Sequence, residues 1–212
     1  MIELYGRANS TNVWKPLWVL EELGQPYQRY DAGMEHGVVD TPGYRALNPN
    51  GRIPSLRHNG VELWESNSIC RYLCMMVGGD ARGLYPEEAG ARASVDRWLD
   101  WQLSTLSPAE RDLFWNMVRT PEDKRDMQAV RAAVANCGKC WTILEARLGD
   151  GRPFIEGENF TLADIVLGCF ARRWFGPEVR VPGMPEFPRL AAWFARLGER
   201  PGFQKWVAPK LT

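Results

Sequence analysis

The sequence predicts an α/β domain followed by an all-α domain, and three observations carry that expectation. The chain opens as strand, helix, strand, an order that needs a crossover connection and therefore parallel pairing of the two strands. A second group follows, two strands around an Asn-Gly turn and then a helix. Beyond about residue 86 the remaining periodic segments repeat at helical spacing.

Ile2 to Tyr5 reads as a short apolar strand. After the polar turn Gly6-Arg7-Ala8-Asn9, the apolar residues Val13, Leu17 and Leu20 recur at helical spacing over Ser10 to Leu23, and Gly24 stops the run. Pro16 lies inside it and is expected to delay the regular helix past Val13, because proline is tolerated best at a helix start. Gln28 to Asp31 is the second strand. Ala32 to Asn50 shows no period and ends in the turn signal Asn48-Pro49-Asn50-Gly51. Ser55 to Arg57 and Val61 to Trp64 flank His58-Asn59-Gly60, a strong hairpin cue. Ser66 then caps a helix through Ile69, Tyr72 and Leu73 that stops at Gly78-Gly79. The change of period puts a boundary near 78–86, giving domains at 1–78 and 87–212. The second reads as helices at Glu87 to Val118, Pro121 to Leu148, Thr161 to Phe175, Pro188 to Leu197 and Gly202 to Val207.

Lys plus Arg and Asp plus Glu number 26 each, so no net field draws the molecule to nucleic acid or to an anionic membrane. A small molecule or a protein is the expected partner. The opening Met-Ile-Glu-Leu-Tyr lacks the pattern of a secretory signal, and no apolar run approaches the ~20 residues of a bilayer span. A cytoplasmic protein is expected. Its five cysteines, an odd number scattered from Cys70 to Cys169, fit reduced thiols better than a disulfide framework. Of ten tryptophans, seven fall from Trp98 onward, which predicts a second half built on aromatic packing.

Three short motifs carry chemistry. Ile53-Pro54 precedes a strand, where a proline loses a ladder hydrogen bond unless the strand is an edge or the bond is cis. A cis bond would turn the Ile53 backbone outward, free to pair with an extended peptide; an ordinary turn proline is the commoner alternative. Glu65-Ser66 falls at a strand end and helix start, where unpaired N–H groups and the macrodipole favour an anion. An α-carboxylate fits the Ser66 hydroxyl and amide, while Glu65 takes the ammonium of the same head group; the alternative is a plain helix cap beside an exposed acid. Ser10 occupies the other strand-to-helix junction, where a hydroxyl donor and a helix N-terminus both lower a thiol's pKa. Its alternative is a simple cap, shared with Thr11 and Asn12. A serine nucleophile lacks support, since only His36 and His58 offer a base and no Gly-x-Ser-x-Gly elbow occurs.

In series these residues resemble the cytosolic glutathione transferase family over nearly the whole chain. Tyr5-Gly6 through Ser10-Thr11-Asn12-Val13, then Asn48-Pro49-Asn50-Gly51-Arg52-Ile53-Pro54, then Leu63-Trp64-Glu65-Ser66-Asn67-Ser68-Ile69 match its thioredoxin-like domain in order and spacing. Gly157-Glu158-Asn159-Phe160-Thr161-Leu162-Ala163-Asp164 looks like its buried capping box, with Asp164 reaching back to the Thr161 N–H. The resemblance implies a thioredoxin-like domain, an all-helical domain, and glutathione as co-substrate in the cleft between them. It further implies no tightly bound cofactor, no metal and a homodimer. Ile53, before a cis Pro54, would pair with the cysteinyl part of glutathione; Glu65 and Ser66 would hold the γ-glutamyl end; Arg52, with His36 as second candidate, would reach the glycine carboxylate. The match is closer to serine-type, theta-, phi- and beta-like subfamilies than to tyrosine-type ones, because Tyr5 belongs to the first strand. Ser10 is then the implied thiolate donor and Asn12 the alternative. Trp98 and Trp101, with Asp100 between them, are candidates for the electrophile pocket, with core packing as the other reading. The implied reaction is attack by the glutathione thiolate on a small electrophile or hydroperoxide.

Two rival readings are a non-catalytic glutathione-binding protein of the same fold and a disulfide reductase acting through Cys137-Gly-Lys-Cys140. The second pair lies inside a helical pattern with no strand before it, so helix packing is expected. Cys70 and Cys74 read as buried small hydrophobes. Arg172-Arg173 reads as a solvated or interface charge pair.

Overall fold

Four strands, β1 (Ile2–Tyr5), β2 (Tyr27–Tyr30), β3 (Ser55–His58) and β4 (Val61–Trp64), form one sheet in the order β2-β1-β3-β4 in a computed structural model that describes all residues except Gly79, Asp80 and Arg82. β1 and β2 are parallel, with Ile2 opposite Tyr27, as the crossover helix α1 (Thr11–Leu23) requires. β3 runs antiparallel to β1 and to β4, placing Leu56 beside both Leu4 and Leu63. At the hairpin tip Asn59 and Gly60 take φ of 48° and 82°, the pair of left-handed residues that a tight hairpin turn demands.

α1 and α3 (Ser66–Val77) pack against each other beside the sheet, over a core that includes Leu4, Leu17, Leu56, Ile69 and Leu73. Contrary to the delay expected from Pro16, α1 is regular from Thr11. Burial of Val13, Trp14, Leu17 and Leu20 offsets the missing N–H. The aperiodic stretch contains a short α2 (Pro42–Leu47), started by Thr41, whose Oγ1 accepts from the Tyr44 N–H at 3.3 Å. Six residues are under two turns, too few to show a period. α3 begins one residue earlier than a Ser66 cap implies: Glu65 holds the cap position and Ser66 is already helical. α3 ends at Gly78, with φ of 79°; Gly79, the other half of the expected stop, lies outside the described residues.

The helical part comprises α4 (Ala89–Trp101), α5 (Ser107–Phe114), α6 (Met127–Arg147), α7 (Leu162–Phe175), α8 (Pro188–Gly198) and α9 (Pro201–Trp206). The single helix expected over Glu87 to Val118 is instead α4 and α5 joined by a wider π-helical turn at 102–106, with another at 115–119. Pro108 has no N–H to close the regular ladder onto Ser104, which accounts for the first. α6 starts at Met127 rather than Pro121, because the Asp126 carboxylate accepts from the N–H groups of Gln128 and Ala129 at 2.9 and 3.0 Å.

α7 is buried along almost its whole length and touches α1, α3, α4 and α8. The capping box expected at its start is present. Glycine matters where α1 meets the helical part: a Cβ at Gly168 would lie 3.3 Å from the Trp18 ring, and Gly202 abuts the same ring. Trp18 therefore fits between α7 and α9, packed on Phe160 and Phe203. Among the described residues no helix is long and apolar enough to cross a membrane.

Candidate functional site

The turn from β1 into α1 is drawn tightly against its neighbours. Gly6 has φ of 156°, and a Cβ there would sit 2.5 Å from Val13 Cγ2 and 3.5 Å from Ile53 Cβ, so this glycine lets the turn close on both. The Trp14 indole N–H donates to the Ala8 carbonyl at 2.6 Å and pins the loop. Ser10 ends it at the cap position of α1, where its carbonyl accepts from the N–H groups of Val13 and Trp14. Its side chain caps nothing, so the hydroxyl is not spent on the helix as the simple-cap reading requires.

Ser10, Asn12 and Arg52 line one cavity of about 850 Å³, closed on the far side by α5 and the turn after it. Tyr5 is directed elsewhere: its hydroxyl donates to Glu3 at 2.9 Å and its ring stacks on Tyr30.

The peptide bond Ile53-Pro54 is cis. The Ile53 side chain packs near Gly6 and Gly33, and neither its N–H nor its C=O makes a hydrogen bond among the described residues. Beside it, Glu65 takes φ of 70°, a left-handed value that a residue with a Cβ adopts only when its surroundings impose it. The Glu65 carboxylate is exposed and makes no hydrogen bond among the described residues, while Ser66 is buried at the first position of α3.

Sequence reasoning missed the group that joins these two helix starts. Lys15 of α1 is fully buried, and its ammonium donates to Ser66 Oγ at 3.3 Å, Asn67 Oδ1 at 3.1 Å and Gln102 Oε1 at 2.7 Å. Three neutral oxygens match its three protons, and the Phe170 ring lies 5.1 Å away. Because Lys15 donates to the Ser66 oxygen, the Ser66 hydroxyl proton is left to point at a ligand. The signal was a lone cation in the apolar run Val13-Trp14-Lys15-Pro16-Leu17-Trp18.

Burial pushes the Lys15 ammonium down from its usual 10.5 to about 8. At this position the unfolded chain therefore keeps a proton that the folded chain has lost between pH 8 and 10.5, and the Lys15 contribution to stability rises with pH across that window, by at most about 1.4 kcal/mol per pH unit. Buried thiols, whose pKa values burial raises, act with the opposite sign above about pH 9, so the Lys15 contribution is read as a difference: in urea unfolding at stepped pH the stability of the parent is expected to rise relative to Lys15→Met from pH 8 to 10.5. Parallel profiles for the two would contradict it.

A second polar chain lies under the cavity. Arg173 Nε donates to Thr11 Oγ1 at 2.9 Å, and its Nη1 donates at 3.1 Å to Glu110, a fully buried residue. Burial raises the Glu110 carboxyl to about 7 against the pull of Arg173, and its Oε1 has no partner among the described residues. Arg172 is also buried and pairs with Glu178 through both terminal nitrogens at 3.1 Å. The solvated reading of Arg172-Arg173 is thus corrected: each arginine meets a glutamate inside the helical part, Glu178 six residues on, past the end of α7, and Glu110 far back along the chain on α5.

Other candidates stand apart from this cavity. His36, on the one-turn helix Met34–His36, faces Glu35 and Asp31 at 3.5 and 3.7 Å and does not line it. Trp98 is buried and donates to Glu156 at 2.6 Å, with Trp101 edge-on to it at 5.6 Å. Neither reaches the cavity, whose aromatic wall is Phe114 and Trp115. Cys137 and Cys140 are buried in α6 and unpaired, and burial raises both thiols, so the helix-packing expectation describes their surroundings.

Comparison with known proteins agrees with this geometry. Residues 9–75 match the family model "Glutathione S-transferase, N-terminal domain", and residues 127–196 match "Glutathione S-transferase, C-terminal domain". The chain is 39% identical to glutathione S-transferase GstB of Escherichia coli (strain K12), over 98% of each chain. It is 28% identical to glutathione S-transferase 3 of Zea mays, over 98% of this chain and 93% of that one. A crystal structure of the theta class glutathione S-transferase from Xanthomonas axonopodis pv. citri, with glutathione bound, superposes with a TM-score of 0.93 at 44% identity, covering 100% of this chain and 99% of that one.

Proposed function

Because this chain belongs to the glutathione S-transferase family, we propose that it binds glutathione between the start of α3 and the start of α1 and activates the thiol at Ser10. The γ-glutamyl carboxylate meets the Ser66 hydroxyl and amide, at the positive end of α3 and above the buried Lys15. The Glu65 carboxylate takes the γ-glutamyl ammonium. The Ile53 N–H and C=O pair with the cysteinyl backbone, held by the cis bond to Pro54, and Arg52 takes the glycine carboxylate.

This threading directs the sulfur at the first turn of α1, where the Ser10 hydroxyl donates to it. That donor and the helix N-terminus favour thiolate over thiol, the proton passing to water. The thiolate then attacks an electrophilic carbon or a hydroperoxide oxygen in the cavity. With a carbon acceptor a C–S bond forms and the displaced group departs with its bonding pair. The observation that carries this reading is the unspent Ser10 hydroxyl at a helix start that lines a ligand-sized cavity.

The same reading takes the chain as a cytoplasmic homodimer with domains at 1–78 and 87–212. Five unpaired, buried cysteines support a reducing compartment, and the exposed Trp64, Met75 and Val77 support an apolar contact between copies.

Ser10→Ala is expected to leave the glutathione dissociation constant within about twofold by calorimetry while kcat/KM with chlorodinitrobenzene falls about tenfold, the worth of one charge-assisted hydrogen bond. Equal kcat/KM for Ser10→Ala and the parent would remove Ser10 from the mechanism. Asn12→Ala, assayed alongside, separates the alternative donor.

A further inference from the structure

The cavity that holds Ser10 is cationic in a chain with no net charge. Arg7, Arg52, Arg111, Arg119 and Arg173 line it, against one lining carboxylate among the described residues, Asp112. Two of the five are accounted for: Arg173 by Glu110, and Arg52 by the glycine carboxylate of glutathione as assigned above. The other three form no ion pair among the described residues.

Arg7 carries a buried Nε without a hydrogen-bond partner among the described residues. Arg7 and Arg119 also feel each other: burial first, then the neighbouring Arg119, pulls the Arg7 guanidinium down, and burial and Arg173 do the same to Arg119. The acid acting against this is Glu35, on an exposed turn and 3.5 Å from His36. Partly buried like charges held together without partners are costly, and an anion placed among them relieves the cost.

Glutathione alone does not fill this role. Its γ-glutamyl head is a zwitterion matched by Glu65 and Ser66, and its glycine carboxylate has Arg52. Only the thiolate remains, and its charge leaves with the displaced group as the C–S bond forms. A charge carried by the acceptor itself stays throughout. The apolar part of the same wall is aromatic: Phe114 lies under the guanidinium groups of Arg173 and Arg119, at 3.8 and 5.7 Å, and Trp115 is half exposed.

We propose, on the basis of the glutathione reading above, that the acceptor taken at this site is an anionic electrophile, a small flat body bearing a carboxylate or sulfonate, held by Arg7, Arg111 and Arg119. Guanidinium forks suit that geometry better than a generic positive surface. With a chlorinated aromatic acid the thiolate adds at the ring carbon, chloride leaves with the C–Cl electron pair, and the carboxylate is unchanged.

The test compares chlorodinitrobenzoate with its neutral carboxamide, each rate divided by the uncatalysed rate with glutathione in the same buffer. The parent is expected to prefer the carboxylate at least tenfold in kcat/KM, and that preference is expected to collapse at least tenfold in the double variant Arg111→Ala, Arg119→Ala. On the unaltered chain, benzoate should compete with the acceptor and benzamide should not, which keeps the test decisive if the variant fails to fold. A parent that treats both acceptors alike, or is inhibited equally by benzoate and benzamide, overturns the proposal. Glutathione binding measured by calorimetry on the same sample separates the two levels. Binding with no carboxylate preference sinks the anion assignment alone, and no binding sinks the glutathione reading with it.

Discussion

Replacing Asp164 by alanine is expected to cost about 3–5 kcal/mol of folding stability, the lower part of what three buried donors left without acceptors cost together. Asp164 is fully buried at the start of α7 and serves four donors: Oδ1 accepts from the Ile155 N–H at 2.9 Å and the Trp193 indole at 2.8 Å, and Oδ2 accepts from the Thr161 N–H at 2.9 Å and the Thr161 hydroxyl at 3.2 Å. Burial still outweighs these bonds and lifts the carboxyl to about 6, a sign of how far the group is from water. Alanine leaves three of the donors, the two backbone N–H groups and the indole, without acceptors in the interior, where each costs about 1–3 kcal/mol. Asp164→Asn keeps the shape yet turns an NH2 toward one donor pair, and is expected to be intermediate. Equilibrium urea unfolding measures both, and an alanine variant with the parent's midpoint would refute the argument. The effect should extend beyond α7, because that helix packs on α1 as well as on α4 and α8, so a loosened α7 also loosens the first turn of α1.

Much of this architecture was legible because its cues are local. The capping box needs only Thr161 and Asp164 at the right spacing, the hairpin only Asn59-Gly60, and the opening unit only a short apolar strand, a periodic run and a second strand. The site was partly legible for the same reason: Ser10 and Glu65-Ser66 announce themselves as helix starts. What the sequence hid depends on contacts between distant segments. Lys15 reads as one lysine in an apolar run until α3 and the turn after α4 bring Asn67, Ser66 and Gln102 to it. Arg173 reads as a surface charge until α5 supplies Glu110 and α1 supplies Thr11. The arginines of the cavity come from three separated stretches, 7, 52 and 111–119, joined by α7, and no window along the chain contains them together. Trp98 and Trp101 mislead in the opposite way: aromatic residues at helical spacing advertise bulk, and only packing shows that theirs is directed at Glu156 and each other.

Glu65→Gln is expected to weaken glutathione by roughly thirtyfold, about 2 kcal/mol, with kcat at saturating glutathione changed far less. The carboxylate is the counter-charge assigned to the γ-glutamyl ammonium, and glutamine keeps its length and acceptor while removing its charge, so the loss is read as electrostatic. The backbone gives a second, opposite readout. At φ of 70° and ψ of 112° a residue with a Cβ is strained, typically by about 1–3 kcal/mol. Glycine relieves that strain, so Glu65→Gly is expected to be no less stable than the parent in thermal unfolding although it binds glutathione at least as poorly as Glu65→Gln. Glycine's larger backbone entropy in the unfolded chain, about 0.5–1 kcal/mol, works against the gain and sets its ceiling. Binding and stability would then part at one position, as they do where a strained residue is kept for its ligand. A plain exposed cap residue predicts something else: Glu65→Gln would titrate with glutathione like the parent, and that result would leave the γ-glutamyl ammonium without its assigned counter-charge.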